Sequence, residues 1–445
     1  MKKIFCLLIT GLLLIPSMVF AKGLEPEFDR DNETSGFVEN VDATQKMQDF
    51  ISEKSWNEGE NKKSNGGKFY ISIGTGVINA QKGSKNYMMS RNNAFEAAML
   101  EAKRSMVDFL GVTIKKDVEQ AMREGDPLPE NQETSVNNVV TEPSLFDKSN
   151  AYLNAKMDQL LKKEGVDLEA KEPVPEPVRQ KILASSAFKS SIKAMATARI
   201  AGIQAFKVFE HAPDGEKGEI GVIAIQSPKL NQMASAIYTG SISAMPNGTP
   251  KKRVEEQIPQ NVTELMGTFG VQSTTDEDGN LVLLAYGQGV PATKSKNSLK
   301  NAYRKAKLRA MGSLRSFAGE AVTFSDDLDD EESLKEFEND MESHSIEQYF
   351  EDKVKSTAEA LEISGVSTKK RWSGSHPFGG SQIAGVVISW SPQAAGSAKK
   401  LKKDMKAPKK ASSSSSSNAP AISQRGSGQK GGYEASGKTA SEDSF

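Results

Sequence analysis

One stretch of the chain occurs twice, and a fold that must be built twice from one pattern leaves few architectures open. The first copy runs Gly74-Thr75-Gly76, a polar loop, then Ala94, Ala98, Ala102 and Met106, and closes at Phe109-Leu110-Gly111. The second runs Gly287-Gln288-Gly289, a shorter polar loop, then Ala302, Ala306, Ala310 and Leu314, and closes at Phe317-Ala318-Gly319. Ser84-Lys85-Asn86 returns as Ser295-Lys296-Asn297, and Asn93-Ala94-Phe95 as Asn301-Ala302-Tyr303. Matches in one order, differing only in loop length, are the mark of an internal duplication.

The repeated residues imply a definite local structure. Phe69–Ile73 and Leu281–Tyr286 precede the glycine pairs, are short apolar runs containing aromatic and β-branched residues, and follow turn residues, so each predicts a strand. The glycines then allow positive φ, an exit from the strand, or close approach to a neighbour. Alanines four apart share one helical face, so a helix should lie flat and close on a sheet. Gly287-Gln288-Gly289-Val290-Pro291-Ala292 also fits a nucleotide-binding GxGxxA. A phosphate site needs the helix to start at the glycines, whereas a polar loop intervenes in both copies. The structural reading is preferred.

The flanks define the copies. Asp42-Ala43-Thr44-Gln45 and Asn261-Val262-Thr263-Glu264 predict capped helix starts, with a reciprocal capping box between Asp42 and Gln45. Each copy ends in a hairpin: Gly202 through Phe209, a turn, then Gly221–Ile225 in the first, and Gly365 through Trp372, a turn, then Gly385–Ser389 in the second. Ser227-Pro228 and Ser391-Pro392 follow, each placing a capping hydroxyl before a proline at the first helical position. The expected fold class is α+β: two tandem β-α-β-β repeats, each a helix on a small, mainly antiparallel sheet, with helical insertions and a disordered C-terminal tail. The repeats span 41–240 and 259–392, joined by a linker at 241–258. Each holds its own helix, strands and hairpin, so each is expected to fold as a separate unit.

Both repeats carry insertions. The first, about 115–184, is rich in proline and carries an amphipathic stripe, Phe146, Leu153, Met157, Leu160 and Leu161, ending at Gly165. The second, about 325–355, is acidic, with Asp326, Asp327, Asp329, Asp330, Glu331 and Glu332. Neither this run nor Asp276-Glu277-Asp278-Gly279 has the glycine and glutamate spacing of a calcium loop. Charge at a helix N-terminus and a hairpin turn account for them respectively.

Residues 1–21 read as a secretory signal: Lys2 and Lys3, an apolar stretch from Ile4 to Ile15, and Val19-Phe20-Ala21, with cleavage expected after Ala21. Cys6 is the only cysteine and lies within that signal, so no disulfide or thiolate metal site is expected beyond it. No later stretch reaches the roughly 18 apolar residues of a membrane span. An acidic lead-in, 22–40, is expected to be flexible. With 57 basic and 58 acidic residues the charge balances, which argues against a general nucleic-acid binder. Residues 393–445 form the expected tail, with Lys399, Lys400, Lys402, Lys403, Lys406, Lys409 and Lys410 as candidate contacts to an anionic surface, followed by a serine run, 412–417.

Catalytic signatures are missing. His211, His344 and His376 lie in separate segments, without HExxH or His-x3-His spacing, and there is no GxSxG elbow. No cofactor or catalytic residue is expected.

A strand ending in Gly-x-Gly, a helix spaced Ala-x3-Ala-x3-Ala, and a glycine-led hairpin with an Asp-Gly turn resemble the domain of LPP20-type envelope lipoproteins. The N-terminal domain of the flagellar assembly protein T is similar. The resemblance rests on Gly74, Gly76, Ala94, Ala98, Ala102, Gly202 and Asp214-Gly215, while the lipobox cysteine is missing. It implies a non-catalytic, structural or interaction role in a periplasmic or outer-membrane-associated assembly, with envelope proteins or an anionic envelope surface as partners. The alternatives are a module binding a small molecule or lipid between the copies and, third, an exported hydrolase.

Overall fold

The computed structural model describes residues 36–38, 42–63, 67–84, 86–125, 145–168, 172–239, 248–329, 363–378 and 381–406. The first copy runs β1 (Gly36–Val38), α1 (Ala43–Glu53), β2 (Gly59–Lys62), β3 (Lys68–Ile78) and α2 (Tyr87–Glu124). The inserted α3 (Leu145–Lys163) and α4 (Glu176–Ala184) follow, then α5 (Ser186–Arg199), β4 (Gln204–His211), β5 (Gly218–Gln226) and α6 (Pro228–Thr239). After a short α7 (Val254–Gln257), the second copy runs α8 (Val262–Gly267), β6 (Gly270–Thr275), β7 (Leu281–Gly289), α9 (Lys296–Asp329), β8 (Ser367–Ser375), β9 (Gln382–Trp390) and α10 (Pro392–Lys406).

The fold is α+β, with two sheets ordered β1-β4-β5-β3-β2 and β6-β7-β9-β8. Every pairing is antiparallel except β1 on β4, which places Gly36 opposite Phe209. Each repeat carries one strand more than expected, β2 or β6, paired outside the glycine strand. β1 lies within the lead-in expected to be flexible. The duplication extends to an irregularity, since both hairpins shift register at the same place, between Ala205 and Lys207 and between Thr368 and Lys370.

In the first copy the glycine pair lies within β3, while in the second Gly289 ends β7 as expected; both pairs lie beneath the helix. A Cβ on Gly76 would stand 1.9 Å from the Ala94 carbonyl oxygen, and one on Gly287 2.0 Å from that of Ala306. Strand backbone therefore touches helix backbone, and Ala98, Ala102, Ala306 and Ala310 are wholly buried at that contact. Nothing larger than alanine on the helix or glycine on the strand fits at this distance. This contact is what the repeated pattern encodes, and it leaves no space between glycines and helix for a phosphate.

Gly111 and Gly319 do not close the helices as expected. α2 continues because Ile114, Val118, Ala121 and Met122 extend its buried stripe. It stops at Gly125, whose φ of 74° permits the left-handed cap. α9 likewise runs through Gly319 to Asp329. In the first insertion the predicted stripe is α3, with Leu153 and Met157 buried.

The caps were mostly legible. Ser227 and Ser391 Oγ accept from Leu230 and Ala394 N–H. Asp42 accepts from Gln45 N–H at 2.6 Å, but the reciprocal half of the box is not made, because the Gln45 side chain donates to Asp49 instead.

The copies do not have separate interiors. One core joins Phe95, Met106, Val222 and Ala224 to Leu265, Met266, Phe269 and Leu284. The other joins Met47, Ile223, Ile225 and Met233 to Leu283, Ala306, Leu314 and Ile388. Gly202 N–H donates to Phe317 O at 2.9 Å, and Ser273 N–H to Gln204 Oε1 at 3.3 Å. The described residues up to Lys402 form one compact unit. The expectation of two separately folding repeats therefore gives way to one shared interior.

Candidate functional site: a basic recess on the second copy

Two polar features stand out from the packed scaffold. The first locks the copies together. Arg91 on α2 is fully buried, and its three guanidinium nitrogens have three different partners. Nε donates to Glu210 Oε2 at 2.6 Å, Nη1 to Gln288 Oε1 at 2.7 Å and Nη2 to Met266 O at 2.7 Å. Tyr87 donates to the other Glu210 oxygen at 2.9 Å. His376 Nδ1 accepts from Phe378 N–H, so Nε2 carries the hydrogen and faces Glu210 Oε2 at 3.2 Å. The Arg91 guanidinium lies 4.6 Å over Phe269, which stacks on Phe95 at 4.5 Å. Gln288, between the two glycines of its strand, also donates to the carbonyls of Leu265 and Met266 in α8 and of Thr268, which caps it.

Burial alone would raise the Glu210 pKa, but the Arg91 charge and the His376 hydrogen bond outweigh it and bring it down to about 2. Burial pushes the His376 pKa below its ordinary 6.5, and the nearby Arg91 charge adds to this. The unfolded chain therefore takes up the His376 proton first, and stability falls as pH drops from 6.5 through the folded value. The Glu210 contribution is full above its ordinary 4.5 and is lost as pH falls towards 2. Replacing His376 with glutamine, which keeps a donor to Glu210, should flatten the upper limb of a melting temperature–pH curve and leave the lower one. An unchanged upper limb would exclude His376 as its source.

The second feature faces outward. Lys296, Leu299, Lys300, Tyr303, Arg304 and Lys307 recur every three or four residues along α9 and so share one face. That face, with Arg371 of β8 and Val386 of β9, lines a recess of about 350 Å³. Arg371 and Val386 are opposite each other in the β8–β9 ladder. Five exposed cationic side chains share a mostly apolar lining with Leu299, Tyr303 and Val386. Among the described residues no carboxylate pairs with any of the five. Chemically this suits an anionic partner with an apolar centre.

The expected lysine site falls elsewhere. Lys399, Lys400, Lys402, Lys403 and Lys406 belong to α10 rather than to a flexible tail, while Lys409 and Lys410 lie outside the described residues. Ala395 of α10 is buried over Gly365, so the tail cannot be trimmed from residue 393 without opening the core. Ala21, most of the lead-in, His344 and the acidic insertion beyond Asp329 also lie outside the described residues. Asp326, Asp327 and Asp329 occupy the end of α9, not a helix start. Asp276 is the hairpin turn it resembled, its carboxylate accepting from Asp278 and Asn280 N–H. Trp372 covers Gly385 and Trp390 is buried, both packing residues.

Sequence reasoning missed Arg91, Glu210, Gln288 and every residue of the recess. The available signal was mismatch within the repeat: with Ala94 aligned on Ala302, Arg91 falls on Leu299, Asn92 on Lys300 and Glu96 on Arg304. It also passed over Gly432-Tyr433-Glu434-Ala435-Ser436-Gly437-Lys438-Thr439, which has phosphate-loop spacing. No apolar run precedes that match to supply the strand such a loop requires, and it lies outside the described residues.

A family model, domain of unknown function DUF6844, matches residues 143–239, the stretch from α3 to α6. A crystal structure of a hypothetical protein from Francisella tularensis is similar at 20% identity, with a TM-score of 0.48, covering 79% of this chain and 90% of that one. No curated protein matches.

Proposed function

We propose that this chain is a non-catalytic, exported component of a cell-envelope assembly, built from two LPP20-like repeats, that meets its partners through the basic recess of the second copy. The observation carrying this reading is the recess itself: five exposed cations without a described carboxylate partner, sharing a mostly apolar lining, on a scaffold whose copies are fixed by a buried ion pair. Charge arranged in this way steers and selects an oppositely charged surface. The residue pattern of 1–21 supports export.

The test is fractionation of tagged wild type beside a Lys300→Glu, Arg371→Glu double variant. The exported wild type should begin at Lys22 and co-purify with envelope material at low salt. The double variant should be exported and melt alike, yet retain about tenfold less of that material, as expected when a charged surface is reversed. An uncleaved N-terminus would rule out export, and equal retention would rule out the recess.

A further inference from the structure

The recess on the second copy has an exact counterpart in position on the first, and there the seat is filled. Aligning the repeats sets Leu299 on Arg91 and Tyr303 on Phe95. The ladder confirms the match across the sheet, because Arg371 faces Val386 on the rung where Val208 faces Val222. In the first copy this seat receives the second copy: Phe269 stacks on Phe95, and Met266 O accepts from Arg91. The second copy's own seat holds no described residue.

The surface that fills the first seat also has a counterpart, and it is exposed. Phe269 immediately precedes Gly270, whose φ is +70°, at the start of β6; Glu58 precedes Gly59, φ +93°, at the start of β2. Glu58 is exposed. Gln288 corresponds to Thr75 and Val290 to Val77. Val290 packs against the shared core, whereas Val77 is 53% exposed, one of the few large apolar side chains left so among the described residues. The substitutions are matched in charge. The donor front exchanges Phe269 for Glu58, and Asp49 and Glu53 are exposed on the preceding α1, while the seat exchanges Val208 for Arg371 and Asn92 for Lys300.

We infer that a second copy of this chain docks head to tail, its first repeat entering the basic recess of the second repeat as the second repeat enters the first within one chain. Such an interface is heterologous: each molecule keeps one free donor front and one free seat, and assembly continues into a ring or an open filament. The anionic character comes from Glu58, which takes the place of Phe269 at Tyr303, and the apolar part from Val77, which takes the place of Val290. This inference rests on the recess being the interaction surface and names its occupant.

Residues 22–445 contain no cysteine, so directional cross-linking is clean. Glu58→Cys in one preparation and Tyr303→Cys in another, the counterparts of the stacked Phe269 and Phe95, should form a disulfide-linked heterodimer only when mixed, and a chain carrying both should give a ladder. In sedimentation, association of the wild type should weaken with salt. Glu58→Arg and Arg371→Glu should each weaken it about tenfold, with mixing of the two restoring a complex. A wild type that stays monomeric at low salt overturns the proposal, as does association indifferent to Glu58→Arg. If it is monomeric while the recess double variant still loses envelope material, the occupant is another partner and only this inference fails.

Discussion

Replacing Arg91 with alanine should cost about 3–5 kcal/mol, because it strands a buried carboxylate. Glu210 is 3% exposed at its side chain and is kept ionised by Arg91 at 2.6 Å. Without the guanidinium, Gln288 Oε1 and Met266 O also lose a donor inside the protein. Lysine should not rescue, since one ammonium cannot reach three partners set around a planar fork. Removing both charges, Arg91→Met with Glu210→Leu, should recover only part of the loss: no charge is stranded, but Gln288, Tyr87 and His376 still lose buried partners. Denaturant midpoints at constant slope measure this. A midpoint for Arg91→Ala equal to wild type would mean that the network does not hold the copies together.

Gly287→Ala should be nearly as damaging, though it adds one methyl group. The new Cβ would meet the Ala306 carbonyl oxygen at 2.0 Å and the Ala310 nitrogen at 2.5 Å. Both are backbone atoms, so no side-chain rotation relieves the overlap, and α9 must lift from the sheet. We expect a cost of about 3 kcal/mol, the upper end of overpacking penalties. Gly76→Ala should behave alike, facing Ala94 O at 1.9 Å. Gly312→Ala is the control: it lies within α9, with nothing within 4 Å of its Cβ, and should stabilise by about 0.5–1 kcal/mol. If Gly287→Ala and Gly312→Ala shift the melting temperature in the same direction, the backbone contact between strand and helix is not present.

Sequence alone determined the duplication, the α+β class and the helix laid on the sheet, because these are written in local spacing. Glycines two apart and alanines four apart specify a close contact whatever the rest of the chain does. The caps at Ser227 and Ser391 were legible for the same reason, since hydroxyl and amide are three residues apart. β2 and β6 were not: β2 is four residues, Gly-Glu-Asn-Lys, and forms only because the edge of β3 offers it hydrogen bonds. Helix length was misread at Gly111 because a glycine ends a helix only where positive φ is needed, and buried apolar residues beyond it repay continuation.

Tertiary structure decided everything that brings distant residues together. Arg91 meets Glu210 and Gln288 across 119 and 197 residues, and nothing local marks a lone arginine as buried. The lysines and arginine along α9 share a face by helical spacing, but only the β8–β9 register places Arg371 opposite Val386 and makes the face a recess. That the copies share their cores follows from the same fact: each sheet has two apolar faces, and one helix covers too little of them, so the second copy is the remaining cover for the first.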